Sequence, residues 1–335
     1  MTFSRFVQNI DFVSNEYIRY KGMEYELLDW IDIKKLRWND LCRNLNSMDL
    51  LEKNIEKINW NWLSFNPNAI HILEKYPEKI NWENLSCNPN AIRLLEKNQD
   101  LIYWNNLSTN PNAIELLEKN LERINWYYLS LNPNCIRLLE KYPEKINWIY
   151  LSCNPNAMHI LEKNPEKIDW NWLSDNQNAI DLLKTNLDKV DWYRLASNRN
   201  SEALKLLEQN HSQIWWSQLS KNPNAIDILE RNPSKISWTE LSYNSNAIQL
   251  LEKNKEKIDW NGLSKNKNAM HLLEQNQKKY DLQLISRNPS IFKKVINYKR
   301  LYERMNIIRE ELMMKCMHPK RLERWIEMDG DIDDF

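Results

Sequence analysis

Residues 82–98 read WENLSCNPNAIRLLEKN, and the same outline, WxxLSxNPNAIxLLEKN followed by a PEKIN-like linker, recurs along most of the chain. Its opening tryptophan returns at Trp38, Trp60, Trp82, Trp104, Trp126, Trp148, Trp170, Trp192, Trp216, Trp238 and Trp260, in steps of 22 residues with a single step of 24. A fixed period of a few tens of residues means one small supersecondary unit stacked on copies of itself, each copy adding a slab to an elongated core.

The residues of the unit dictate its local structure. With only three glycines and little valine, neither propeller turns nor strands of β-branched residues are available, so the chain reads as all-α. Asn88 is placed to cap a helix that begins at Pro89, where the missing N–H costs nothing, and Ala91, Ile92, Leu94 and Leu95 give that helix an apolar face over about ten residues. The helix should stop near Asn98, or at Tyr76 and Tyr142, where Pro77 and Pro143 follow. A shorter helix opens at Asn81, Asp169 or Ser237, just before the Trp, with Trp and Leu three apart on one face. Helices this short do not persist alone; stacking makes them helical.

The expectation is therefore an α-solenoid of about twelve units, each a short helix plus a longer one, shaped as a rod or arc. Residues 1–26 read as an amino-terminal cap. Residues 27–297 form the array, with a two-residue insertion near 195–204 that predicts a bulge or change of twist, and a degenerate last unit at 282–297. Residues 298–335 read as a carboxy-terminal helical cap with an acidic tail, Asp329 to Asp334. The Trp column reads as structural: truncating a buried indole costs ~3 to 5 kcal/mol. The recurring Asn66, Asn88, Asn110, Asn132 and Asn154 cap helices and can also bond across units.

Lys plus Arg and Asp plus Glu balance at 46 each, leaving no net field toward phosphate or anionic lipid. No apolar run approaches the ~20 residues needed to cross a bilayer, and MTFSRFVQNIDF lacks a signal-peptide core. The expected location is intracellular. Cys42, Cys87, Cys135, Cys153 and Cys316 lack CxxC pairing and read as free thiols.

No phosphate loop, GxGxxG, HExxH, GxSxG or zinc spacing is present, so neither enzyme nor cofactor is expected. His71, His159 and His271 share one column but lie several units apart, too far to share a metal. His318 has no nucleophile and carboxylate beside it. The Glu and Lys columns of LLEK read as a solvated face. A repeat scaffold binds where it displays variable side chains, here the two positions after each Trp and the one after Leu-Ser. The first set is aromatic from Tyr127 onward, and the candidate partner-binding residues are Trp62, Tyr127, Tyr128, Ile149, Tyr150, Trp172 and Tyr193. Alternatively these rings pad the joints between helices.

The unit WxxLSxNPNAIxLLEKNPEKIN, the opening LLDWIDIKKLRW and the ending MHPKRLERWIEMDGDIDDF resemble repeat proteins of giant DNA viruses of amoebae, the Mimivirus group. The resemblance implies a viral protein made in the host cell, most simply in its cytoplasm, and brings no activity or functional residues. The functional expectation is a non-enzymatic scaffold that binds a host or viral protein. A structural or self-assembling component is the alternative, and a single-stranded nucleic-acid reader the third, disfavoured because the variable columns show no basic stripe.

Overall fold

The computed structural model describes residues 23–316. Numbering units from their opening residue, unit 1 starts at Trp38, unit 11 at Trp260 and unit 12 at Leu282, which stands where the Trp would be. Unit 3 shows the common pattern. The helix Trp82–Ser86 is capped by Asn81, whose side chain accepts from Asn84 N. A 3-10 turn, Pro89–Ala91, leads into the helix Ile92–Glu96, and a second 3-10 turn, Gln99–Leu101, reaches the next unit. The fold is thus the helical repeat array that the period implies.

The second helix is shorter than the sequence suggests. Asn88 ties its Oδ1 to Asn90 N at 3.0 Å, which tightens the first turn to 3-10 geometry and leaves Ala91 at ψ near 0°. The regular α-helix begins only at Ile92.

Leu85, Ala91 and Leu95 are fully buried, as are their counterparts in units 1 to 11, for example Leu151, Ala157 and Leu161. These residues, not the tryptophans, form the buried spine. The eleven column indoles pack against the core while remaining partly exposed. The linker lysine that follows lies over the preceding indole: Lys57 over Trp38 and Lys167 over Trp148, both 4.6 Å from the ring centroid. Trp opens its helix at the edge of the unit, so one face meets the core and the other meets the next linker.

Polar groups knit the units together. Asn88 donates from Nδ2 to Ser64 O and Asn66 O of the preceding unit, both at 3.0 Å, and is itself fully buried. Asn90 donates to Pro67 O at 2.9 Å. Ser86 Oγ accepts at 3.0 Å from the N–H of Tyr103, the residue just before the Trp104 that opens the following unit. The asparagines therefore cap and cross-link at once.

The same bonds join the two ends of the array. Asn44 of unit 1 donates to Ser286 O and Asn288 O of unit 12, both at 3.0 Å. Asn46 donates to Pro289 O at 3.0 Å, and Arg37 N donates to Ser286 Oγ at 2.8 Å. The array is a closed ring, which corrects the rod or arc expected above. Since the seam repeats the bonds of every other step, twelve steps make one full turn, about 30° of rotation per unit.

A strand pair absent from the sequence reading seals the seam. β1 (Met23–Leu27) pairs antiparallel with β2 (Phe292–Ile296), from Met23 opposite Ile296 to Leu27 opposite Phe292. Asp49 accepts from Tyr25 N and from Arg300 Nη1, both at 2.9 Å, and Lys293 meets Asp29 at 2.7 Å. A helix, Tyr298–Cys316, follows. The remainder of the amino-terminal cap, and the acidic tail with His318, lie outside the described residues.

At the 24-residue step, the extra Ser201 and Glu202 form the first turn of a nine-residue helix, Ser201–Gln209, capped by Asn200. Ala203 keeps its fully buried place. The asparagine circuit passes through unbroken, Asn222 donating to Asn198 O at 2.8 Å and Ala196 O at 3.1 Å.

Candidate binding surface in the bore of the ring

In a ring, equivalent elements of neighbouring units lie closer together the nearer they are to the axis. Successive Trp helices approach one another more closely than successive Leu-Leu helices do, so the Trp helices form the inner circumference. Within each, the third and fourth residues after Trp, such as Leu151 and Ser152, are buried toward the outer layer. At 100° per residue, the second and fifth residues after Trp then point toward the axis and the first lies on the flank. The variable columns therefore line a bore and one rim. With ~8 to 10 Å between packed helices and ~10 to 12 Å for a helix with its side chains, twelve units leave an opening roughly 20 Å across.

Contacts between units confirm that the second and fifth columns are neighbours. Lys221 Nζ meets Glu240 Oε2 at 2.6 Å, Arg194 meets Asp175 at 3.9 Å, and the Arg43 guanidinium lies 4.1 Å from the Trp62 ring centroid. Gln218 donates to Ser197 Oγ. The first column instead adjoins the residue before the next Trp, as in Asn81 Nδ2 donating to Asn61 Oδ1 at 3.0 Å.

All the candidates but Trp62 gather on one arc of this belt and the rim beside it. Tyr127 and Tyr128 of unit 5 lie 4.3 and 6.5 Å, centroid to centroid, from Tyr150 of unit 6. Tyr150 in turn lies 6.1 Å from Trp172 of unit 7, over whose ring Arg194 sits at 4.3 Å. Hydrogen bonding with Tyr127, then burial, pushes the Tyr150 phenol up to about 12. Ile149, about half exposed, flanks this cluster on the rim. Tyr193 stacks edge-on against Trp215 at 5.4 Å, also on the rim. Trp62 stands apart, in unit 2 beside Arg43.

Residue-by-residue reading did not single out Trp215 and Tyr103, both more than half exposed. They occupy the cap position before Trp, where Asn, Asp or Ser is the rule, and that substitution was the available signal. The belt also carries Lys265, Arg287 and Arg43 in the fifth column of units 11, 12 and 1. They are consecutive around the ring but 244 residues apart in sequence across the seam, between Arg43 and Arg287.

The histidine column lies on the outer layer, each ring facing a glutamate of the preceding unit: His71 with Glu52 at 3.2 Å, His159 with Glu140 and His271 with Glu252 at 2.7 Å. Among the described residues no group of His, Cys, Asp and Glu is arranged to hold a metal, and no helix is long and apolar enough to cross a membrane. Burial pushes the Cys42 and Cys87 thiols up to about 11 and those of Cys135 and Cys153 to about 12. None is poised as a nucleophile near neutral pH.

No protein-family model, curated protein or solved structure matches the chain.

Proposed function

We propose that this ring is a non-enzymatic scaffold that holds a protein segment, from a host or viral partner, against the aromatic arc of its bore. The observation that carries the reading is the run of touching rings Tyr127, Tyr128, Tyr150 and Trp172. They sit on a rigid backbone frame, and Tyr127 and Tyr128 are more than a third exposed. Rigid aromatic side chains supply contact area at low entropic cost and dominate binding hot spots.

The test is a Tyr128→Ser, Tyr150→Ser, Trp172→Ser triple variant compared with the native chain in affinity purification from infected cells. A partner retained by the native chain and lost by a variant with an unchanged melting curve supports the reading. If the variant no longer folds, the rings serve as padding between helices.

One observation favours self-assembly as a second reading. Tyr103, Tyr127, Ile149, Tyr193 and Trp215 are all exposed on one rim, a surface on which a second ring could stack. Sedimentation at increasing concentration decides it, because a chain that stays monomeric cannot use that rim for copies of itself.

A further inference from the structure

The cationic sector of the bore faces the aromatic one. Six units separate unit 5 from unit 11, unit 6 from unit 12 and unit 7 from unit 1, half of the twelve-unit circuit in each case. Tyr128, Tyr150 and Trp172 therefore lie across the bore from Lys265, Arg287 and Arg43. Among the described residues neither Lys265 nor Arg287 has a salt-bridge partner, although Lys265 lies over the Tyr243 ring at 5.3 Å. The buried Nε of Arg43 has no hydrogen-bond partner among them either. Burial, then the neighbouring Arg287, lowers the pKa of the Arg43 guanidinium, with Asp40 opposing. Two like charges one unit apart on an inward face are an unfavourable arrangement for an empty ring and a favourable one for an anion.

We propose that the occupant of the bore is an amphipathic α-helix with one acidic face and one aliphatic or aromatic face, the acids meeting Lys265, Arg287 and Arg43 and the apolar side meeting the aromatic arc. This rests on the binding role proposed above and specifies the partner. A helix presents two opposite faces on a rod ~10 to 12 Å wide, which the bore admits, whereas a folded domain would not enter. Single-stranded nucleic acid is the weaker match. A phosphate backbone following the belt would meet Asp40, Asp175 and Glu240 as well as the cations.

The test uses the full chain and a fluorescein-labelled 18-residue helical peptide with Glu on one face and Leu and Phe on the other, followed by anisotropy. Saturable binding is expected to weaken as salt rises. Lys265→Glu, at an exposed position, should weaken it about fivefold, and Lys265→Glu with Arg287→Glu by tenfold or more. Matching far-UV spectra and melting curves establish that both variants are folded, and Lys265→Glu alone suffices if the double variant is not. A peptide with Lys in place of Glu should not bind.

Absence of binding by the acidic peptide, or binding indifferent to Lys265→Glu, overturns the proposal. So does tighter binding of a labelled oligothymidine than of the peptide. If a partner found in cells depends on Trp172 and not on Lys265, the acidic helix falls while the aromatic binding arc stands.

Discussion

Replacing one asparagine in the middle of the array and its counterpart at the seam measures whether the ring is closed in solution. Asn88→Ala removes two buried bonds from Nδ2, to Ser64 O and Asn66 O, and the turn bond that Oδ1 accepts from Asn90 N. Asn44→Ala removes the same three, to Ser286 O, Asn288 O and from Asn46 N. A net intramolecular hydrogen bond contributes about 1 kcal/mol, and a buried acceptor left without a donor costs a further ~1 to 3 kcal/mol, so each variant should lose roughly 4 to 6 kcal/mol.

The two sites make the same three bonds and differ in what those bonds join. Asn88 joins consecutive units, whereas Asn44 joins residues more than 240 positions apart. If the seam opened in solution, Asn44 would donate to water and its replacement would cost only the local turn bond, about 1 kcal/mol. Equilibrium urea unfolding followed by Trp fluorescence gives both values. The ring predicts equal losses within about 1 kcal/mol, and a nearly silent Asn44→Ala beside a severe Asn88→Ala would refute closure.

Leu151→Ala should cost about 3 to 4 kcal/mol and Trp148→Ala about 2, because Leu151 is fully buried while Trp148 keeps one face toward Lys167; thermal unfolding of the pair checks the order. In a Cys316→Ser background, dithionitrobenzoate at pH 8 should label the native chain slowly, since pKa values near 11 and 12 leave about one thiolate in a thousand or fewer. Rapid native labelling would contradict the burial of these thiols. A raised thiol pKa means that the folded state holds its protons longer, so their contribution is present below the ordinary thiol value near 9 and is lost as pH rises toward 11 to 12. Urea midpoints should therefore fall above pH 9, and a midpoint that rises there would refute the sign. Gly262→Ala places a Cβ 2.9 Å from Tyr243 Cε2, 3.1 Å from Asp259 Oδ2 and 3.3 Å from Ser242 Cβ. The Tyr243 ring is more than a third exposed and can move, so the loss should be about 1 kcal/mol, and a loss above ~3 kcal/mol would mean that it cannot.

The unit was legible because its causes are local. A cap residue before Trp, proline at the first turn and apolar spacing on one face each act within a few residues, and the structure places helices where they indicate. The overestimates also have local causes. The Asx turn at Asn88 shortens the second helix, and a Trp at the edge of its unit turns only one face to the core, the other meeting linker side chains such as Lys57, Arg123 or Tyr76. Ring closure was not legible in this way, since no single unit encodes it; a rotation of a few degrees more or less per unit would give an open arc. One signal was nevertheless present. In an open array the first unit has no predecessor, and Asn44 and Asn46 would have nothing to bond, yet both are there in full register with the units that follow. The aromatic arc could be read from the variable columns, whereas the cationic arc could not, because Arg43 joins Lys265 and Arg287 only across the seam.

Closure also constrains this chain in a way that an open solenoid escapes. An open array tolerates gain or loss of a unit because each copy contacts only its neighbours. Here the number of units times the rotation per unit must equal one turn, and the rotation is fixed by how much closer the Trp helices stand than the Leu-Leu helices. The small inner residues, the buried Ser86 and Asn88 and their counterparts, allow that close approach, while the bulkier Leu pair and the charged linkers spread the outer layer. The extra Ser201 and Glu202 are accommodated because they lengthen a helix while Ala203, Leu206 and Leu207 stay buried in their columns. The two degenerate units lie side by side at the seam, Leu282 replacing Trp in one and Cys42 replacing Ser in the other. There β1 and β2 add backbone pairing at the step where the side-chain pattern is least regular. The strand pair thus compensates for the weakest repeat interface, and holding that interface shut is what brings Arg287 beside Arg43 and completes the bore.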